Sequence, residues 1–186
     1  KQNMAQDIRL HTSEAIEKNR EITLNSEQSH YLTHVMRCKN DDFITLFNGT
    51  DGQWTAQITT INKKNTVITP LSQTRKQTSS PDLWFVFSPI KSKTELVVEK
   101  ATELGAAVLQ PVVTHRTQFA KMKLEKMQVQ IIEAAEQTER LCLPELRDPL
   151  TLAQLIDQWD AGRTLFMADE GGDCPPALSA FQSADG

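Results

Sequence analysis

Long apolar runs, paired cysteines, nucleotide-binding glycine motifs and an excess of positive charge are all missing from this sequence. Its longest apolar stretches, such as Leu83–Phe87, fall far short of the roughly 20 residues that span a bilayer. The N-terminus shows no apolar segment followed by a small-residue cleavage site, so no signal peptide is expected. Cys38, Cys142 and Cys174 are odd in number and far apart, which points to reduced thiols and a cytoplasmic location rather than a disulfide framework. Neither a G-x-G-x-x-G nor a P-loop is present, which argues against dinucleotide binding and nucleotide hydrolysis. Ser88-Pro89 lacks a Gly-x-Ser-x-Gly setting, so a serine hydrolase is discounted. The net charge of −4 argues against non-specific binding to nucleic acid. Residues 1–73 hold eight basic and eight acidic side chains, and the remainder twelve and sixteen, so neither half is a basic arm. Any contact with nucleic acid must come from a local patch.

What is present is a globular chain of 186 residues, 39% hydrophobic and 24% charged, long enough to bury roughly 70% of its unfolded surface in one large or two small domains. Two textures meet at a seam. From residue 20 to 72 the pattern is one of short strands. Trp54, Ala56 and Ile58 alternate with Gln53, Thr55, Gln57 and Thr59, the period of a half-buried strand. Asn48-Gly49-Thr50-Asp51-Gly52 reads as the turn before it, Asn62-Lys63-Lys64-Asn65 as the turn after it, and Thr66–Leu71 as the next strand. One helix interrupts them, capped by Asn25 with Gln28 at the box position, its apolar face formed by Tyr31, Leu32, Val35 and Met36. A small antiparallel barrel carrying one helix accounts for this half. The polar stretch from Ser72 to Pro81 reads as a linker.

Beyond Asp82 the texture becomes α/β. Leu83–Phe87 reads as a buried strand. A helix follows, with Ser92 as cap and Glu95 as its box partner, a stripe of Val97, Ala101 and Leu104, and Gly105 at its end. Ala107–Val113 completes a βαβ unit. A longer helix is expected near Leu124 to Leu141, with Met127, Ile131, Ala134 or Ala135 and Thr138 inward and Pro144 closing it. Thr151–Trp159 reads as a short amphipathic helix and Thr164–Ala168 as a further strand. Glu170-Gly171-Gly172 is read as a surface turn rather than a cofactor loop.

Three blocks carry a resemblance: KSKTELVVEKATELG at 91–105, QPVVTHRTQ at 110–118 and AAEQTERLCLPEL at 134–146. In order and spacing they resemble the RsmE family of bacterial 16S rRNA (uracil-N3) methyltransferases. HYLTHVMRCKNDDFITLFNGTDGQWTAQI at 30–58 resembles that family's small RNA-binding domain. The resemblance implies a PUA-like β-barrel over residues 1–73, a linker over 74–81 and the N-terminal part of a SPOUT α/β methyltransferase domain over 82–186. It also implies S-adenosylmethionine as methyl donor, 16S rRNA or the small ribosomal subunit as partner, and a homodimer, with no metal and no membrane. The family's GPEGG-type and LRxETA-type cofactor motifs would fall beyond Gly186. The trefoil-knot segment and the cofactor residues are therefore expected downstream, and this chain alone is expected to be inactive. A non-catalytic RNA-binding protein of the same fold, or a scaffold without RNA, are the alternative readings.

Methyl transfer to a ring nitrogen needs alignment of two reactants and help for the departing N3 proton. Within the resemblance, Arg140 is the candidate for stabilising the developing anion, with Glu136 four residues earlier on the same helical face and Gln137 beside it. An i,i+4 surface salt bridge is the plainer reading of that pair. Arg116 and Lys91 follow the two strands of the βαβ unit, where ligands of open α/β sheets bind, and are candidates for RNA contact. Lys100 and Glu103 fit a structural helix pair better. In the small domain His30, His34 and Arg37 share a polar helix face. His34 and Arg37 are candidates for RNA, a zinc site lacking a third ligand, and Arg9 is a further phosphate candidate. Trp54 belongs to the core.

Overall fold

The alternation of Gln53–Ile61 organises the first half of the molecule. The computed structural model describes residues 8–62, 65–117, 122–169 and 171–184. Lys63 and Lys64 of the expected turn, Gln118, and Glu170 of the Glu-Gly-Gly segment lie outside them. Strands β1 (Arg9–His11), β2 (Ile22–Thr23), β3 (Phe43–Phe47), β4 (Gln53–Ile61) and β5 (Thr66–Arg75) form one rolled sheet in the order β1-β3-β4-β5-β2. β1 runs parallel to β3, and the other pairs are antiparallel. Ala56 and Ile58 are fully buried, and Trp54 packs against the same core with Ile44, Leu46 and Ile68. The turn before β4 is built by Asn48, whose side-chain oxygen accepts the Thr50 and Asp51 amides at 3.0 and 2.7 Å. Gly49 and Gly52 take the positive φ that this turn demands.

Asn25 caps α1 (Ser26–His30) as expected, accepting the Gln28 amide at 2.8 Å. The Gln28 side chain does not close the box; it donates to the His11 carbonyl at 2.7 Å. The helix then widens into a π-helical turn over Tyr31–Val35, and Arg37 follows in the left-handed region. The widening changes the angular phase of the side chains. Leu32 stays in the core, while Tyr31 and Val35, expected inside, face out.

The second half is a parallel sheet. β6 (Trp84–Phe87) pairs with β7 (Val108–Val113), and β7 pairs with β8 (Glu145–Leu146) and, further along, with β9 (Leu150–Thr151). Asp148 and Pro149 interrupt that last partner, and the buried Gln110 amide donates to the Asp148 carbonyl at 2.9 Å. Helices α2 (Thr94–Glu103) and α3 (Leu124–Gln137) cross between the strands. Both press Val98, Ala101, Met127 and Ile131 onto Phe87 and Leu109, as two successive crossovers of one hand require. α4 (Leu152–Asp157) carries a full capping box between Thr151 and Gln154, and α5 (Ala177–Ala184) ends the described chain.

Four sequence expectations change here. Ser92 does not cap α2; Thr94 begins it, its hydroxyl donating to the Ile90 carbonyl at 2.7 Å and accepting the Ile90 amide at 2.8 Å. The buried stripe is therefore Thr94, Val98, Ala101 and Thr102, and Leu104 is 84% exposed. Gly105 does end the helix, with a Schellman pair of bonds, Gly105 N to Thr102 O and Ala106 N to Ala101 O. Helix α3 stops at Gln137 rather than near Leu141, because Glu139 turns left-handed and Arg140 N reaches back to Ala135 O. Leu83–Phe87 is not buried on both faces: Leu83 and Phe85 are 55% and 41% exposed, and among the described residues β6 pairs with β7 alone. Thr164–Ala168 forms no strand, since no described strand pairs with it, and Met167 is left 83% exposed. Asp169 accepts the Gly171 amide, a local turn as expected.

Candidate functional site

The two halves are joined by a small core of its own. Phe47, at the end of β3, packs against Ala135 of α3 and Leu141, with Leu143 beside them. Over the Phe47 ring, 3.7 Å from its centroid, lies the Arg9 guanidinium. Its Nη1 donates to the Ala135 carbonyl at 2.5 Å and its Nη2 to the Arg140 carbonyl at 2.6 Å. Arg9 thus caps the frayed end of α3, where carbonyls lack helical partners. Arg9 is only 9% exposed, and its Nε has no hydrogen-bond partner among the described residues. Burial, with Arg75 adding to it, pulls the guanidinium down to about 10, against the pull of Glu139 and Glu136. Arg9 therefore stands at the joint between the halves, with two of its five N–H donors held by carbonyls.

Next to it, the His11 amide donates to Glu136 Oε1 at 2.8 Å. Burial raises the Glu136 carboxyl above the usual carboxylate range, although the His11 bond and the Arg9 charge pull it back. Burial, and then the Arg9 charge, lowers the His11 imidazole. Arg140 points elsewhere. Its Nη1 donates to the Thr102 carbonyl, and its Nη2 to Ser80 Oγ at 2.9 Å and the Ala106 carbonyl at 3.3 Å. It straps the linker and the α2–β7 turn to the end of α3. The expected same-face trio is thereby divided. Glu136 and Gln137 face a groove between barrel and α3, while Arg140, beyond the helix end, faces away into protein.

That groove has a volume of about 1150 Å³. Glu14, Glu27, Glu133, Glu136 and Glu139 line it against the single arginine Arg9, which is already engaged. Its field repels phosphate, so RNA has no electrostatic reason to lie there.

A different surface gathers at the carboxyl ends of β6 and β7. Ser88 Oγ lies 2.8 Å from Thr117 Oγ1, which also accepts the Thr114 amide at 2.8 Å and meets Thr114 Oγ1 at 3.0 Å. These hydroxyls tie the loop carrying Lys91 to the loop carrying Arg116, and both cations are exposed. Sequence reasoning found the two cations but passed over the serine and threonines that position their loops; the short Thr114–Thr117 spacing was the available signal. The donor set suits phosphate. It does not fit a sulfonium cation, which Lys91 and Arg116 would repel, so no described residue is assigned to a methyl donor.

On the barrel, His30 and His34 stack with ring centroids 4.5 Å apart and planes 8° from parallel. An ion must lie close to the plane of each ligating imidazole. In this arrangement the two nearly parallel rings do not aim at one common ion. Arg37 is exposed beyond the end of the π-helical turn. Lys100 and Glu103 form the expected ion pair at 2.9 Å. The three cysteines are unpaired. Among the described residues no helix is long and apolar enough to cross a membrane.

A strand-rich barrel welded to a parallel α/β sheet, with cations at the sheet's carboxyl crest, defines the class. The sequence profile of RNA methyltransferase domains matches residues 77–185, and that of RNA methyltransferase PUA domains matches residues 24–71. The chain belongs to this family of RNA methyltransferase domains, and its fold is a PUA-like barrel followed by a SPOUT-type α/β domain. Two relatives bear the same name. It is 34% identical over 150 residues to ribosomal RNA small subunit methyltransferase E of Rickettsia conorii, covering 80% of this chain and 62% of that protein. It is 32% identical over 162 residues to the protein of the same name from a Synechocystis species, covering 86% of this chain and 54% of that one. The chain thus spans less than two thirds of either relative. A candidate methyltransferase from Legionella pneumophila, solved in complex with the cofactor SAM, superposes with a TM-score of 0.73 at 28% identity, over 83% of this chain and 67% of that one. The ribosomal RNA small subunit methyltransferase E of Neisseria gonorrhoeae, bound to S-adenosyl methionine, shares the fold with a TM-score of 0.74 at 23% identity, over 84% and 67% of the two chains.

Proposed function

We propose that this chain serves S-adenosylmethionine-dependent methylation of small-subunit ribosomal RNA, with N3 of a uridine as the acceptor. The match of residues 77–185 to RNA methyltransferase domains carries the reading. The relatives' common name supports the ribosomal substrate, and the Legionella complex supports the methyl donor. The chain's own residues handle RNA. Lys91 and Arg116, on loops held together by Ser88 and Thr117, take phosphate at the crest. Arg37 and His34 offer a second contact on the barrel. Arg9, Glu136 and Arg140 are positioning residues that hold the barrel at a fixed angle to the sheet, so that RNA gripped by one half is presented to the other. The division into residues 1–73 and 82–186, a homodimer and a cytoplasmic location belong to the same reading.

The test is to incubate the protein expressed from its whole gene with methyl-labelled S-adenosylmethionine and small ribosomal subunits, digest the RNA and separate the nucleosides. Label in 3-methyluridine is the expected outcome. Label in another nucleoside would remove the N3-uridine assignment. RNA binding with no label and no S-adenosylmethionine binding would favour a non-catalytic RNA-binding role for this chain.

A further inference from the structure

The stacked histidines border a second cleft, of about 550 Å³, between α1, the π-helical turn and the start of β5. Its walls include His30, Thr33, His34, Ile61, Asn62 and Thr66, and none of its lining residues carries a carboxylate. That contrasts with the glutamate-lined groove beside α3. Its volume lies within the range of small-ligand sites and leaves room for one nucleotide.

The hydrogen-bond network assigns the His34 tautomer. The Thr33 hydroxyl donates its one proton to the Ser29 carbonyl at 2.7 Å. It can then only accept from His34 Nδ1, 2.8 Å away. Neutral His34 therefore carries its proton on Nδ1 and presents Nε2 as an acceptor. Its ring is exposed and backed by His30, a flat face on which a base can stack. Thr66, on the cleft wall, is fully buried, and its hydroxyl has no hydrogen-bond partner among the described residues. A buried hydroxyl left without a partner is uncommon and costly unless a ligand supplies one.

We infer that this cleft holds one unstacked nucleotide of single-stranded RNA, its base on the His30–His34 stack, with His34 Nε2 accepting a hydrogen bond from a ribose 2′-hydroxyl or base N–H. The assignment rests on the RNA-handling function proposed above. It adds a nucleotide subsite to what would otherwise be phosphate contact alone.

Two variants of the whole chain test it by fluorescence anisotropy with a labelled single-stranded RNA and its deoxy counterpart. His34→Phe keeps a ring over His30 and removes the acceptor. Thr66→Val keeps the shape and removes the unpaired hydroxyl. Each is expected to weaken RNA binding by about three- to tenfold, the worth of one hydrogen bond. The dependence on salt should not change, because phosphate contacts are untouched. Thr66→Val should unfold at or above the wild-type midpoint, which separates lost binding from lost folding. If wild type prefers RNA to DNA and His34→Phe abolishes the preference, the donor is the 2′-hydroxyl. If His34→Phe weakens both equally, the donor is the base. Wild-type affinity in both variants would overturn the subsite while leaving the RNA function standing. No RNA binding by wild type would overturn both.

Discussion

Arg9 shows what one side chain decides in this molecule. It sits between Ile8 and Leu10, so its alternation in the sequence marks only an outward-facing strand residue. That outward face meets α3, and the guanidinium closes two carbonyls there. Arg9→Met should lower stability by about 2–3 kcal/mol in a denaturant titration, since both carbonyls lose a charged donor. The salt slope of RNA binding should stay unchanged; a shallower slope would show that Arg9 contacts phosphate after all. Nothing local in the sequence distinguishes a strand residue facing solvent from one facing a second domain, which is why its role was not legible. His11 gives a pH signature. Burial lowers its pKa in the fold, so below 6.5 the unfolded chain holds the proton more tightly. Stability from this group therefore rises as pH climbs from the folded value to 6.5. Glu136 works in the opposite sense: the fold holds its proton more tightly, and its contribution falls as pH rises from 4.5 through the raised value. His11→Phe should remove the rise toward 6.5, measured as unfolding midpoints at pH 5.5, 6 and 7. An unchanged profile would refute the assignment.

At the scale of elements, helix ends were the hardest features to place. Gly105 advertised the end of α2, because a glycine suits the left-handed position. The end of α3 was hidden, because Glu139 occupies that position instead. The early stop carries Arg140 off the helix, and with it the expected pairing with Glu136. Glu139→Gly should stabilise the protein by about 0.5 kcal/mol, relief of left-handed strain being partly offset by a freer unfolded chain. Thermal unfolding reads this directly. Buried strands were legible where both neighbours exist, as in β7. Thr164–Ala168 was misplaced because an apolar run does not reveal whether a partner strand stands beside it. Phe47 belongs to this scale too, since it packs β3 against α3. Phe47→Ala should cost about 3–5 kcal/mol and uncouple the unfolding of the two halves. A single cooperative transition at little-changed denaturant would contradict that.

The whole molecule is two sheets joined through Phe47, Arg9 and Glu136, with carboxylates in the groove between them and cations on the loops of the sheet crest. On the proposed reading, RNA held on the barrel and on the crest spans the joint that these side chains brace. The fold class was readable from the change of hydrophobic period near residue 82, and the family from three blocks in register. The chemistry of the groove was not, because Glu14 and Glu27 of the barrel half meet the closely spaced Glu133, Glu136 and Glu139 only in the fold. The central claim, that this protein serves uridine methylation in small-subunit rRNA, is tested most directly by mass spectrometry of nucleosides from that RNA, prepared from cells with and without an intact gene for it. The account predicts that 3-methyluridine disappears when the gene is removed and returns when it is restored. An unchanged level of 3-methyluridine without the gene would contradict it.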